Sequence, residues 1–189
     1  MTVLVCGGAG YIGSHTAKAL SQAGYQPVVF DSLEYGHPSA VQWGPLEKGD
    51  LADPSALRHV LSKYSFSAAI HFAAYISVGE SVREPGKYFR NNFGNTLNLL
   101  DGLREAGIHR IVFSSTAAVY GDPLQVPIPE DHRLQPVSPY GDSKLMVERA
   151  IGWYGQAYGL RSVLLRYFNA AGADPDGQLG EDHEPETHL

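Results

Sequence analysis

Several things are scarce in this chain of 189 residues. It has one cysteine, Cys6, so no disulfide can form within it, as expected of a protein kept in a reducing cytoplasm. Cys6 closes an apolar run, and packing is the ordinary role for such a thiol. No long hydrophobic run is present. The start, MTVLVCGGAG, lacks a basic leader and its apolar stretch is very short, so neither a signal peptide nor a membrane anchor is expected there. Lysines and arginines are not clustered, and the formal net charge is −6. Nucleic-acid partners are therefore not expected. Low-complexity tracts, long-period repeats and an evident linker are also missing. At 43% apolar and 18% charged residues, what is left is an ordinary globular composition, long enough for one sizeable core.

Six short apolar segments recur, at Val3–Cys6, Pro27–Asp31, Pro45–Gly49, Ala68–Phe72, Arg110–Ser114 and Ser162–Phe168. Most are separated by stretches of helical periodicity, among them Ile12–Ala23, Ser55–Lys63, Tyr88–Glu105 and Tyr140–Tyr158. This alternation predicts an α/β, Rossmann-like three-layer fold: a central parallel sheet with helices on both faces. Residues 120–139, with several prolines, and residues 170–189, rich in Gly, Asp and Glu, read as irregular. Both follow a strand, which places them at the carboxyl edge of the sheet, where ligands of such folds bind.

Directly after the first strand stands Gly7-Gly8-Ala9-Gly10-Tyr11-Ile12-Gly13, followed by a helix. In that context, glycines let the backbone approach a pyrophosphate, and the helix N-terminus offers N–H donors and a positive dipole end. The second strand ends at Asp31, suited to a ribose 2′-hydroxyl and hostile to a 2′-phosphate, and no basic residue follows in Ser32-Leu33-Glu34. The expected cofactor is NAD rather than NADP. Asp50, at the end of the third strand, reads equally well as an adenine-side carboxylate or as a turn or helix-capping residue.

Tyr140 and Lys144 fall on one face of a helix opened by Ser138-Pro139. A tyrosine of ordinary pKa near 10 is a poor base at neutral pH. An ammonium beside it, together with a cationic nicotinamide, would lower that value, and about three units corresponds to roughly 4 kcal/mol. The run Ser114-Ser115-Thr116 closes the fifth strand at the same sheet edge and can supply a hydroxyl partner.

Taken together, these residues resemble the extended short-chain dehydrogenase/reductase family. The likeness covers essentially the whole chain and rests on Gly-x-x-Gly-x-x-Gly, Asp31, Gly49-Asp50-Leu51, His71-Phe72-Ala73-Ala74, Ser114-Ser115-Thr116, Tyr140-x-x-x-Lys144 and Arg166-Tyr167-Phe168-Asn169. The stretches GGAGYIGSHT, HFAA…VGESV, FSSTAAVYG, SPYGDSKLMVE and LRYFNAAGADPDGQLGEDH point within it to the branch that epimerises UDP-hexoses at C4.

The resemblance implies interconversion of UDP-glucose and UDP-galactose through a transient 4-keto sugar. Tyr140 would take the 4-hydroxyl proton, Thr116 would be its hydroxyl partner, and Lys144 would bind the nicotinamide ribose and tune Tyr140. Cofactor contacts would come from Gly7, Gly10, Tyr11, Ile12, Gly13, Asp31, Ser32, Asp50, Leu51, Phe72, Ala73, Ala74, Asn91, Ser114, Tyr140, Lys144 and Tyr167. Thr116, Tyr140, Asn169 and His188 would meet the sugar nucleotide. The family also implies a homodimer through helices near 88–105 and 140–158. Residues 1–169 would then be the NAD-binding domain and 170–189 the start of a substrate-binding region that appears truncated.

Two positions depart from the family pattern. Ile76 stands where some members have a lysine, and His188 where many have an asparagine. A metal site in Gly180–His188 is not expected, since the spacing matches no zinc motif and Pro185 breaks a helical presentation. A nucleotide-sugar 4,6-dehydratase is the nearest rival; it carries Asp-Glu after the threonine, where this chain has Ala117-Ala118. The other rival is a protein that binds NAD without chemistry.

Overall fold

The structure, a computed structural model, describes residues 1–182. Six strands form one wholly parallel sheet: β1 (Thr2–Cys6), β2 (Gln26–Asp31), β3 (Leu46–Lys48), β4 (Phe66–His71), β5 (Arg110–Thr116) and β6 (Arg161–Tyr167), in the order β3-β2-β1-β4-β5-β6. The order reverses between β1 and β4, and the crevice of such a sheet lies at that reversal. The expected α/β architecture is present. Strand ends differ by one to two residues; β5, for instance, runs on to Thr116, because its last three residues pair in register with Leu165, Arg166 and Tyr167.

On one face pack α2 (Pro54–Lys63), α5 (Asn95–Glu105) and α6 (Pro139–Tyr158). Leu57, Leu99, Leu103, Val147 and Ile151 meet Leu4, Phe30, Ile111 and Phe113 there to form the main core. The opposite face carries α1 (Tyr11–Gln22), whose Ala17 joins Val3, Val5 and Val29 in a smaller cluster. That cover stops short of the last strand. Val163 and Leu165 of β6 are 55% and 41% exposed, and β6 has no neighbour on its outer side among the described residues.

Each boundary has a local cause. Asp53 caps α2 by accepting from the Ser55 and Ala56 N–H groups, with Pro54 at the first helical position. Ser138 caps α6 by accepting from the Gly141 N–H, again with proline next. α6 ends at Gly159, which adopts φ +72°.

The helix expected over Tyr88–Glu105 is present, but it is not α-helical throughout. Short helices α3 (Val78–Arg83) and α4 (Pro85–Tyr88) lead into a π-helical stretch, Phe89–Gly94, before α5 begins. The wider turn seats Asn92, 2% exposed, where its amide accepts from the Tyr75 N–H (2.9 Å) and donates to the Tyr75 carbonyl (3.0 Å) and the Ser143 hydroxyl (3.2 Å). Such turns in a helix are frequent at functional sites.

Residues 170–182 contain no helix or strand, as expected, yet they are tightly held. Lys18 of α1 donates to Asp174 (2.7 and 2.8 Å) and Asp176 (2.7 Å), and Tyr11 donates to the Gly172 carbonyl. Asp174 and Leu179 are buried, joined by an Asp174 N–H to Leu179 carbonyl bond of 3.0 Å. This segment is a strap across α1. No helix among the described residues is long and apolar enough to cross a membrane.

Candidate functional site

The glycine turn between β1 and α1 is built for close backbone approach. Gly7 has φ +77°, and a Cβ there would lie 2.5 Å from the Ala73 nitrogen. At Gly13 it would lie 2.1 Å from the Gly7 carbonyl oxygen. Gly7 is thus required by the close approach of the segment after β4, and Gly13 by the packing of helix on loop. Gly10 is different: a Cβ there meets only the Gly7 oxygen, at 3.6 Å. Gly10 is also the N-cap of α1, and no side chain caps that helix. The first-turn N–H groups, at Tyr11, Ile12 and Gly13, lack intrahelical partners by construction. The result is an uncapped N-terminus on a helix of twelve residues, the kind of end that suits an anion.

Around this turn stand the neighbours the sequence suggested. Asp31 accepts from the Ala9 N–H (2.9 Å) and the Leu33 N–H (2.9 Å), one on each carboxylate oxygen, which ties the end of β2 to the glycine turn. A carboxylate has lone pairs to spare beyond those two. The Phe72 and Ala73 N–H groups donate to the Cys6 carbonyl at 2.8 and 3.2 Å, with Ala74 next in line, so the β4 end lies against the β1 end. Ser32 accepts from the Glu34 N–H. Exposed Asp50 accepts from the Ala52 N–H at 2.8 Å, a turn contact, and buried Leu51 offers its carbonyl to Asn98.

Across the crevice, α6 brings Tyr140 and Lys144 to the end of β5. The Thr116 hydroxyl lies beside the Tyr140 phenol, near enough to act on its pKa, and accepts from the Ala118 N–H. Lys144, 3% exposed, donates to the Ser114 carbonyl at 3.0 Å and lies over the Phe113 ring. The Ser114 and Tyr167 hydroxyls are hydrogen-bonded to each other. Tyr140, Lys144, Thr116, Ser114 and Tyr167 therefore share one corner of the carboxyl edge.

The electrostatics of that corner differ from the expectation of a tyrosine tuned downward by its lysine. Burial pulls Lys144 down to about 7, and burial raises Tyr140 above its ordinary value, with the nearby Thr116 hydroxyl working the other way. Desolvation penalises the charged form of each group. The Lys144 amine is directed to the Ser114 carbonyl, and it is the Thr116 hydroxyl that opposes the rise at Tyr140. His71, 1% exposed, is pushed down to about 3 by burial and then by Lys144.

Other expected residues stand apart from this corner. Asn91 is bonded within the π-helical stretch, to Asn92 and Asn95. Asn169 and Ile76 are exposed, and His188 lies outside the described residues. No group of three or more His, Cys, Asp or Glu among the described residues could hold a metal. The part of Gly180–His188 beyond 182 lies outside them.

Sequence reasoning missed three residues. Asn92 is the clamp described above, and nothing in a run of two asparagines tells which one is buried. Lys18 looks like an ordinary helix-surface lysine. Glu148 is 6% exposed and accepts from Ser115 and from Arg166, whose Nε and Nη2 lie at 2.9 and 2.6 Å. Its signal was available: it stands one turn beyond Lys144 on the same helix face.

Comparison with known proteins places this geometry. Residues 3–185 match the model of the NAD dependent epimerase/dehydratase family. A UDP-glucose 4-epimerase of Rhizobium leguminosarum bv. trifolii is 55% identical over 188 residues, covering 100% of this chain and 58% of its own length. The crystal structure of UDP-glucose 4-epimerase from Brucella ovis in complex with NAD superposes with a TM-score of 0.98 at 54% identity, covering 100% of this chain and 58% of that one. The enzyme from Bifidobacterium longum, in complex with NAD+ and UDP, gives a TM-score of 0.91 at 36% identity, over 96% of this chain and 57% of that one. This chain thus spans under three fifths of the length of these relatives.

Proposed function

The chain belongs to the NAD dependent epimerase/dehydratase family, and on that premise we propose that it binds NAD and carries the acid–base half of a UDP-glucose 4-epimerase, interconverting UDP-glucose and UDP-galactose. The observation that carries this reading is the corner where the Tyr140 phenol meets Thr116, with Lys144 one helical turn on, along the same sheet edge as the open turn at Gly10.

The residues present fit the cofactor. Gly10 leaves room for a phosphate, the uncapped α1 supplies donors, and Asp31 ends β2 with acceptor capacity for a ribose hydroxyl. NAD, when bound, supplies a reversible hydride acceptor. Tyr140 takes the proton of the sugar 4-hydroxyl and later returns it, and Thr116 orients that hydroxyl and shares the proton. Lys144, near neutrality in its pKa, can hold a charge beside the site at little cost and so steady the phenolate as it forms. Ser114 and Tyr167 close the same wall. Two alanines, Ala117 and Ala118, follow Thr116, and neither can serve the acid and base that a dehydratase needs for elimination.

The remaining readings belong to the same proposal. Residues 1–169 form the NAD-binding domain and 170–189 begin the substrate side, with Asn169 and His188 toward the UDP-sugar. Asp50 and Asn91 lie on the cofactor side. A second copy of the chain pairs through the helices near 88–105 and 140–158, where Trp153 is 68% exposed. The compartment is the cytoplasm.

The test is Tyr140→Phe in the full product of the gene. UDP-galactose turnover is expected to fall by about 10²-fold or more while NAD binding, followed by calorimetry, is unchanged. Wild-type turnover in this variant would show that Tyr140 is not the acid–base group. Absent turnover in the wild type, with NAD bound, would favour a binding protein without chemistry.

A further inference from the structure

Tyr140, Lys144 and Glu148 stand at successive turns of α6, about 6 Å apart along its axis, all facing the sheet. The first two face the reacting corner. The third ends in a carboxylate whose side chain is 4% exposed and which reaches two strands at once. Its Oε1 accepts from the Ser115 hydroxyl of β5 and from Arg166 Nε of β6; its Oε2 accepts from Arg166 Nη2. Ser115 and Arg166 are register partners in the β5–β6 ladder.

The positions of these partners matter. Ser115 lies between Ser114, whose carbonyl receives Lys144, and Thr116, whose hydroxyl meets Tyr140. Arg166 directly precedes Tyr167, which meets the Ser114 hydroxyl. Beyond the carboxylate, Arg166 Nη1 extends to the Tyr120 hydroxyl (3.2 Å) and the Glu130 carbonyl (3.4 Å), so the pair also holds the loop leading to α6. Apolar packing by Val147 and Ile151 resists separation of helix and sheet but tolerates sliding. A two-point carboxylate–guanidinium contact fixes orientation.

We propose that Glu148 is a positioning residue: through Ser115 and Arg166 it sets the register of α6 on β5 and β6, and so the approach of Tyr140 to Thr116 and of Lys144 to Ser114. The inference rests on the reading of Tyr140 and Lys144 as the acid–base pair, but it is tested without cofactor or substrate.

Lys144 itself reports the register. Lysine side chains of the chain are followed by ¹³C NMR from pH 6 to 9, with the Lys144 signal assigned by its loss in Lys144→Met. His71, the titratable neighbour from β4, stays neutral over that range, and Tyr140 on α6 and Tyr167 on β6 are both raised above their ordinary values. Two variants are compared. Glu148→Gln keeps size but removes the charge, and Ser115→Ala removes the β5 contact while leaving the Glu148–Arg166 pair. If Glu148 sets the register, both admit water to Lys144, and its midpoint rises by one unit or more from about 7. Turnover of the full gene product then falls about tenfold in kcat, with KM within twofold.

Loss of an anion alone would instead lower the Lys144 midpoint in Glu148→Gln and leave it unmoved in Ser115→Ala. A role in stability alone would lower the melting temperature with the midpoint unmoved. Either result overturns the proposal. Should Glu148→Gln fail to fold, the midpoint in Ser115→Ala decides. Failure to bind NAD, measured separately, would count against the proposed function and not against this register.

Discussion

The two glycines Gly10 and Gly13, three residues apart, separate what the phosphate turn needs for folding from what it needs for a ligand. Substituting Gly13→Ala puts a Cβ 2.1 Å from the Gly7 carbonyl oxygen and 2.7 Å from the Gly8 Cα. Both are backbone atoms, so α1 must move outward by on the order of 1 Å. Overpacking of this kind costs roughly 1–3 kcal/mol, a fall in melting temperature of roughly 2–12 °C for a chain of this size. Gly10→Ala meets no such wall, its nearest neighbour being at 3.6 Å, and its φ of −84° suits any residue. There the loss of a favoured capping glycine and the gain from a stiffer unfolded chain nearly cancel, to within about 0.5 kcal/mol. Under the proposed function, Gly10 is where the backbone would meet a pyrophosphate. The expected pattern is a wild-type melting curve for Gly10→Ala with NAD affinity at least tenfold weaker, about 1.4 kcal/mol, and a lowered melting temperature for Gly13→Ala. Scanning fluorimetry and calorimetric titration with NAD measure both. If Gly10→Ala binds NAD like the wild type, the phosphates do not rest there; if it melts with Gly13→Ala, the space beside Gly10 is not open.

Three further outcomes are expected. Asn92→Ala removes three hydrogen bonds that hold Tyr75 and Ser143, and at roughly 1 kcal/mol each should lower the urea midpoint by an amount equivalent to about 2–4 kcal/mol; an unchanged midpoint would mean that the π-helical turn stands without its clamp. His71 has a folded pKa near 3 against an ordinary 6.5, so between these values the unfolded chain binds a proton that the folded chain refuses, and stability falls as pH drops through that window. Urea melts at pH 4.5 and 7 should show a smaller difference in His71→Asn than in the wild type, and equal differences would remove His71 from the account. Asp31→Asn should narrow the preference for NAD over NADP, read as the ratio of their dissociation constants; an unaltered ratio would place the ribose elsewhere.

What the sequence made legible was the part governed by local rules. Glycine spacing after an apolar strand announced the tight turn between β1 and α1, and Ser138-Pro139 announced the start of α6 and with it the face shared by Tyr140 and Lys144. Alternation of strand and helix was enough for the parallel sheet. The rest depended on partners far away in the chain. The period of the 88–105 stretch suggested one regular helix, and only the demand of Tyr75 for a buried amide explains the wider turn at Phe89–Gly94. Segment 170–182 is irregular, as its composition suggested, but how it is held was not legible: Lys18 pairs with Asp174 and Asp176, contacts to which hydrophobic patterning is blind. The pKa directions at Tyr140 and Lys144 were out of reach for a similar reason: burial is a property of the assembled corner, not of the pair.

The strap also bears on the order in which the molecule is made. Lys18 and Asp174 are 156 residues apart in sequence, and Tyr11 and Gly172 are 161 apart. Contacts of such separation close late, since the entropy of bringing the ends together must be met before they form. On a ribosome, α1 emerges well before the strap. Until the strap emerges the Lys18 ammonium therefore faces water, and the wall beside the glycine turn does not exist. Emergence of the strap and completion of that wall are in this sense a single event.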